Sequence, residues 1–170
     1  MRAGNDQDRR PPADTVRGWL ESVTDPEIPV LTIADLGILQ DIRWDGDELV
    51  VVITPTYSGC PAMRTIEQGV RDTVRAHGVD RVRVEERISP AWTTDWLTEA
   101  GRQKLRAYGI APPEGRSTSK RGLFAPLPAV ACPRCGSTST TRVSEFGSTA
   151  CKAHYRCDDC LEPFDYFKCI

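Results

Sequence analysis

The chain has 170 residues, of which 39% are hydrophobic and 27% are charged, as is typical of a folded globular protein. Its formal net charge of −2 lacks the strong basic excess of a dedicated nucleic-acid-binding protein. No apolar run reaches the roughly 18 residues that a membrane-spanning helix needs. The polar N-terminus has no apolar region of the kind found in secretory signals, so we expect a cytoplasmic protein.

The beginning of the chain predicts a tail and a short helix. Residues 1–11 are polar, and we expect them to form a disordered tail. Apolar residues at helical spacing predict a helix over residues 14–23, with Asp14 or Thr15 as its N-cap. Two prolines at positions 26 and 29 end this pattern.

A β-hairpin follows, over residues 36–44 and 47–54. Both segments are rich in apolar and β-branched residues, and Asp45-Gly46 between them is a typical two-residue turn. The next predicted elements are a loop, a helix, a third strand and a final helix, at residues 55–60, 61–77, 82–88 and 98–108. This order predicts an α+β domain of two layers, in which helices cover one face of the sheet.

The composition changes after this domain, which we place at residues 12–110. Residues 111–131 are rich in proline, glycine, serine and basic side chains, and we interpret them as a linker. Residues 132–170 contain six of the seven cysteines. In a chain without an export signal these thiols are expected to be reduced rather than paired in disulfides.

Four of these cysteines form two C-x2-C pairs, Cys132/Cys135 and Cys157/Cys160. Each pair can direct two sulfurs to one point, so two pairs can close a tetrahedral thiolate cage. We predict a small β-rich, zinc-ribbon-like module that metal binding holds folded, with Zn²⁺ as the favoured ion. Iron, an iron–sulfur cluster or a metal-free redox dithiol are the alternatives.

Two further cysteines, Cys151 and Cys169, exceed the needs of a four-thiolate cage. They are either small apolar residues packed inside the module or alternative ligands for metal or cluster transfer.

The remaining cysteine, Cys60, stands alone between a predicted strand and the helix that is expected to begin at Pro61. A residue at that N-cap lies beside unpaired backbone N–H groups, which stabilise a thiolate anion. We therefore interpret Cys60 as a reactive thiol, with an inert, packed cysteine as the alternative. No nucleophile–base pair is evident, so we expect no catalytic residues and no enzyme activity.

Several motifs in order give the chain a resemblance to a known family, the MIP18 or DUF59 family of iron–sulfur assembly domains. The resemblance covers residues 12–110. It rests on Asp25-Pro-Glu-Ile-Pro29, Asp35-Leu-Gly37, the strand ending in Thr54, Gly59-Cys60-Pro61 and Ser89-Pro-Ala-Trp92. The resemblance implies a role in iron–sulfur maturation, with Cys60 as the thiol that handles a transient iron–sulfur species. Asp25 and Asp35 are expected to shape turns instead.

The cysteine-rich module makes the resemblance more specific, because it points to one group within the family. Together the two parts are similar to the D subunits of phenylacetyl-CoA epoxidase systems of phenylacetate degradation. This implies a non-catalytic accessory factor whose partners are the iron–sulfur reductase subunit and the di-iron oxygenase subunits. The alternatives are a structural subunit without cluster chemistry and a metal-free thiol oxidoreductase that uses Cys132 and Cys135.

Overall fold

The fold is a computed structural model that describes residues 10–114 and 129–168. Most of the predicted tail, residues 115–128 of the predicted linker, and Cys169 lie outside the described residues. The mixed α+β class predicted for the chain is confirmed. Within the described ranges, no helix has the length and apolar character needed to cross a bilayer.

The first sheet has three strands in the order β1-β2-β3. Strands β1 (Leu39–Asp45) and β2 (Glu48–Ile53) form the predicted antiparallel hairpin, and β3 (Val82–Glu86) runs parallel to β2. The turn lies one residue later than expected, because Asp45 pairs with Glu48 and the connection consists of Gly46 and Asp47. Gly46 has φ of +59°, a left-handed conformation that glycine adopts without a steric cost.

Three α-helices belong to the same domain as this sheet. Helix α1 (Ala13–Leu20) begins directly after Pro12, so the predicted N-caps Asp14 and Thr15 are wrong, and it ends three residues earlier than expected. Proline has a fixed φ close to the helical value, which favours this earlier start. Helix α2 (Ala62–Ala76) links β2 to β3 and buries an apolar face that includes Ile66 and Val70.

Helix α3 (Glu99–Tyr108) has clear signals at both ends. The Thr98 hydroxyl accepts a hydrogen bond from the Gly101 N–H at 3.0 Å, and Gly109 ends the helix with φ of +92°. A short 3-10 turn at Thr94–Trp96 precedes it. After Gly109 the chain passes directly into the second sheet.

The second sheet has four strands in the order β4-β7-β6-β5. Three belong to the cysteine-rich module, and they are β5 (Thr140–Ser144), β6 (Lys152–Cys157) and β7 (Pro163–Phe167). The short strands that the sequence predicts at residues 140–146 and 153–156 correspond to β5 and β6, whereas β7 is not predicted. The fourth strand, β4 (Ile110–Ala111), is the end of the first domain and pairs in parallel with β7.

The two modules also share a hydrophobic core. Phe167 and Cys151, both from the cysteine-rich module, are buried in the core of the first domain, where the Phe167 ring meets Trp92 edge-on at 6.1 Å between centroids. A smaller core within the second sheet includes Tyr155 and Phe164. The cysteine-rich module is therefore packed against the first domain.

Candidate metal centre and thiol site

The structure brings the four predicted metal ligands together. The sulfurs of Cys132, Cys135, Cys157 and Cys160 all lie within 4.8 Å of one another. Cys132 Sγ is 3.8 Å from Cys160 Sγ, and Cys135 Sγ is 3.5 Å from Cys157 Sγ. A tetrahedron with Zn–S bonds of about 2.3 Å has S···S edges of about 3.8 Å, so the sulfurs are spaced as a tetrahedral metal site requires.

Each C-x2-C turn is closed by the backbone. In the first turn the Gly136 N–H donates to the Cys132 carbonyl at 2.9 Å, and in the second the Cys160 N–H points to Cys157 Sγ at 3.5 Å. The residue after each turn has a left-handed conformation, with φ of +76° at Gly136 and +65° at Leu161. The two turns are thus similar in shape, although only the first has a glycine to accommodate it.

The electrostatics of this site differ from sulfur to sulfur. The pKa of Cys135 and the pKa of Cys160 are raised, because their backbone hydrogen bonds are outweighed by burial together with hydrogen bonds shared with other cysteine sulfurs, whereas Cys157 favours the thiolate. Hydrogen bonds from the backbone N–H groups of Cys160 and Asp159 lower the pKa of Cys157 to about 7. Metal ligation requires deprotonated sulfur, so this thiol is prepared to bind a cation near neutral pH. Cys132 and Cys157 are buried while Cys135 is exposed, which places the site at the edge of the module.

Cys60 lies outside this cluster, on the turn that precedes α2. It is half-buried, and its N–H donates to the Tyr57 carbonyl at 3.2 Å while its own carbonyl accepts from the Met63 N–H at 3.3 Å. The expected N-cap position is wrong by one residue, because α2 begins at Ala62 and Pro61 is the N-cap. Gly59 has φ of +80° and no atom within 4 Å of where a Cβ would lie, so the turn is open beside Cys60.

Tyr57 is the principal neighbour of the Cys60 thiol. Burial raises the pKa of the Tyr57 phenol well above its usual range, and the nearby Cys60 thiol raises it further. The phenol therefore remains protonated and can donate its hydrogen to the sulfur. The side chains of both residues pack against the core of the first domain.

An acidic loop lies close to Tyr57. Asp25 Oδ1 accepts hydrogen bonds from the N–H groups of Glu27 at 2.7 Å and Ile28 at 2.9 Å, which confirms that Asp25 shapes this turn. Asp35 does the same in the next turn, where it accepts from the Thr32 N–H at 2.9 Å. Burial, and then the charge of Asp25, raise the pKa of Glu27.

The cysteine-rich module adds Cys151 and Lys152 to this region. Cys151 is buried as expected of a small apolar residue, but in the core of the first domain rather than within its own module, and it is not among the four clustered thiols. Burial raises the pKa of its thiol, and Thr149 Oγ1 lies 3.0 Å from its sulfur. The buried Lys152 side chain has its Nζ 3.7 Å from Asp165 Oδ2.

Sequence reasoning did not identify Tyr57, Glu27 or Lys152. The only local signal was the position of Tyr57 three residues before Cys60, which is the spacing of a tight turn. Nothing in the sequence linked Lys152 to the Glu27 loop, because their electrostatic interaction depends on how the two modules pack.

Comparisons with known proteins match two parts of the chain to different families. The family described as iron–sulfur cluster assembly protein matches residues 13–85, and the PaaD zinc beta ribbon domain matches residues 116–168. A solved DUF59 domain from Bacillus anthracis is 25% identical, with a TM-score of 0.51 over 55% of this chain and 90% of that one.

A protein of Escherichia coli (strain K12), provisionally named as the D subunit of 1,2-phenylacetyl-CoA epoxidase, is 51% identical over 161 residues, which are 94% of this chain and 94% of that protein. At this identity and coverage the two proteins share their whole architecture. The chain belongs to the family of these epoxidase D subunits, in which an iron–sulfur cluster assembly domain is joined to a PaaD zinc beta ribbon.

Proposed function

We propose that this protein is a non-catalytic accessory factor of a phenylacetyl-CoA epoxidase system that helps to assemble the iron–sulfur cluster of the reductase subunit. The di-iron oxygenase subunits are the second candidate clients. Support comes from the family of the chain and from the similarity of residues 13–85 to iron–sulfur cluster assembly proteins. In this proposal Cys60 holds the iron–sulfur species in transit and the protein acts in the cytoplasm.

The observation that carries this proposal is the setting of Cys60. Its thiol is half-buried on a turn beside Tyr57, and Gly59 leaves space there for a partner's backbone. The thiolate is the form of cysteine that binds metal. The four clustered cysteines would hold a Zn²⁺ ion that keeps the ribbon folded and plays no part in transfer.

Co-expression with the reductase tests this function. Cys60→Ser is expected to keep its fold and ribbon metal but to lower the iron and acid-labile sulfide bound per reductase molecule. The matched control is Ser58→Ala, which changes an exposed side chain of the same turn without touching the thiol. Full cluster occupancy in a reductase matured with Cys60→Ser would refute the proposal.

A structural subunit without cluster chemistry is the second candidate. It is favoured by three large apolar side chains that the ribbon exposes, Val143, Phe146 and Leu161. Such residues are common at protein–protein interfaces. This candidate predicts copurification with the oxygenase at a fixed ratio that Cys60→Ser does not alter, together with a normal reductase cluster.

A further inference from the structure

Strand β3 forms an open edge of the first sheet. The order β1-β2-β3 leaves one side of β3 without a neighbouring strand. The Arg87 N–H, directly after β3, donates to the Ile53 carbonyl of β2 at 2.8 Å. Because backbone groups alternate in direction along a strand, the N–H and C=O groups of Val84 and Glu86 point the opposite way, out of the sheet.

These outward-facing backbone groups are free over the second half of β3. The Val82 carbonyl accepts a hydrogen bond from Arg71 Nη1 at 3.3 Å, so the helix α2 side chain covers the beginning of the edge. Among the described residues, no hydrogen bond reaches the outward groups of Val84 and Glu86. Unpaired N–H and C=O groups along a sheet edge are a template for one further strand.

The other strand edges in the described ranges are less suited to such pairing. The register of β1 is irregular between Leu39 and Asp41, that of β5 is irregular between Arg142 and Ser144, and β4 has only two residues. Bulges and short strands hinder pairing with another chain. Strand β3 pairs with β2 in a regular register throughout, so its edge is straight enough to accept a strand.

The open edge leads to the side of the sheet from which the Cys60 loop emerges. Strands β2 and β3 are parallel, so β2 continues into residues 54–60 and β3 into residues 87–91 at the same side. Residues 86–91 are all exposed, and Ile88 exposes 71% of its surface. Its neighbours Glu86 and Arg87 form no ion pair with any described residue. An apolar anchor between two available charges is suited to a protein partner.

We propose that the edge of β3 binds an extended segment of the client polypeptide, which adds a fourth strand to the first sheet. The backbone groups of Val84 and Glu86 pair with the incoming strand, and an apolar side chain of the client packs on Ile88. Main-chain hydrogen bonds supply affinity in this mode of recognition, and alternate side chains supply specificity. The inference rests on the proposed function and adds the docking surface that brings the client to the Cys60 side of the sheet.

Amide hydrogen exchange measured by NMR tests this proposal on the full-length wild-type protein, with and without the purified reductase subunit that lacks its cluster. In the free protein the amides of Glu85 and Arg87, which face β2, should exchange slowly, and those of Val84 and Glu86 should exchange fast. The reductase should slow exchange at Val84 and Glu86 by about tenfold or more.

Three results of this experiment would overturn the proposal. They are fast exchange at Val84 and Glu86 in the saturated complex, slow exchange at both amides in the free protein, and the absence of a complex. Slow exchange in the free protein would mean that the chain covers this edge itself.

A proline substitution separates backbone pairing from side-chain contact. Glu86→Pro removes an outward N–H and leaves the ladder to β2 intact, because proline is tolerated on an edge strand where the N–H faces solvent. It should weaken reductase binding by about tenfold or more, since a carbonyl of the client strand loses its partner. The matched control Glu86→Ala loses the same side chain but keeps the N–H, and should bind within about threefold of the wild type.

The apolar anchor is tested in the same binding assay. Ile88→Ser should weaken binding by about tenfold, as expected for a central apolar contact. Metal content and the thermal midpoint of each variant check that it is folded. Equal affinities of Glu86→Pro and Glu86→Ala would contradict docking through the backbone edge.

Failure of this inference differs from failure of the proposed function. If Glu86→Pro binds and matures the reductase normally while Cys60→Ser lowers its cluster content, only the docking edge is refuted. If Glu86→Pro loses binding but Cys60→Ser matures the reductase fully, the proposed function is refuted and the docking edge stands.

Discussion

Phe167→Ala is the substitution that best tests whether the ribbon stabilises the first domain. The Phe167 side chain is only 1% exposed and lies in the first domain's core, edge-on to Trp92. Its burial contributes about 1.5–3 kcal/mol, and the aromatic pair adds about 0.5–1.5 kcal/mol. With the cavity that remains, we expect the free energy of unfolding of the first domain to fall by about 3–5 kcal/mol.

Native-state hydrogen exchange measures this effect within the first domain. The amides of β2, the central strand of the first sheet, should lose about 3–5 kcal/mol of protection in Phe167→Ala. Phe146→Ala is the matched control, since it removes the same side chain from an exposed position where only Lys168 lies over the ring. It should cost less than about 1 kcal/mol. If Phe167→Ala leaves β2 protected as well as the control does, the modules do not share a core.

Three further predictions follow from the local geometry. Protons compete with metal for the ligand sulfurs, and Cys157, with its pKa lowered to about 7, resists protonation longer than Cys135 and Cys160 as the pH falls. A chelator should therefore remove the ribbon metal increasingly fast as the pH falls from about 8 to 6, and a rate independent of pH would contradict this. Leu161→Gly should remove the steric cost of a left-handed leucine and stabilise the ribbon by up to about 1 kcal/mol in thermal unfolding. Gly136→Ala should destabilise the ribbon by a similar amount. A change of stability in the same direction in both variants would be inconsistent with the backbone argument. Asp25→Ala removes the acceptor of two backbone hydrogen bonds and should lower the free energy of unfolding in urea by about 1.5–3 kcal/mol. An unchanged urea midpoint would contradict this expectation.

The elements with strong local patterns could be predicted from the sequence. The β1–β2 hairpin and helix α2 are defined by runs of β-branched residues and by apolar residues at helical spacing. The four-cysteine cluster is likewise predictable, because the C-x2-C spacing carries its own geometry. These features depend on residues that are near one another in the chain.

The features that escaped prediction depend on distant residues. Strand β4 has two residues, too few for any periodicity, and it exists because Ile110 pairs with Asp165. One local feature also differs, because the N-cap of helix α2 is Pro61 rather than Cys60. The burial of Cys151 in the core of the first domain follows from packing between modules, for which the sequence contains no local signal.

The short strand β4 has a consequence for dividing this protein into parts. A chain cut off soon after Ala111 would lose β7, leaving the backbone of Ile110 and Ala111 without its partner and the Phe167 site empty beside Trp92. Unpaired strand edges and uncovered apolar surface promote aggregation. The two family domains of this chain thus form one structural unit. Neither domain should be expected to behave in isolation as it does in the whole chain.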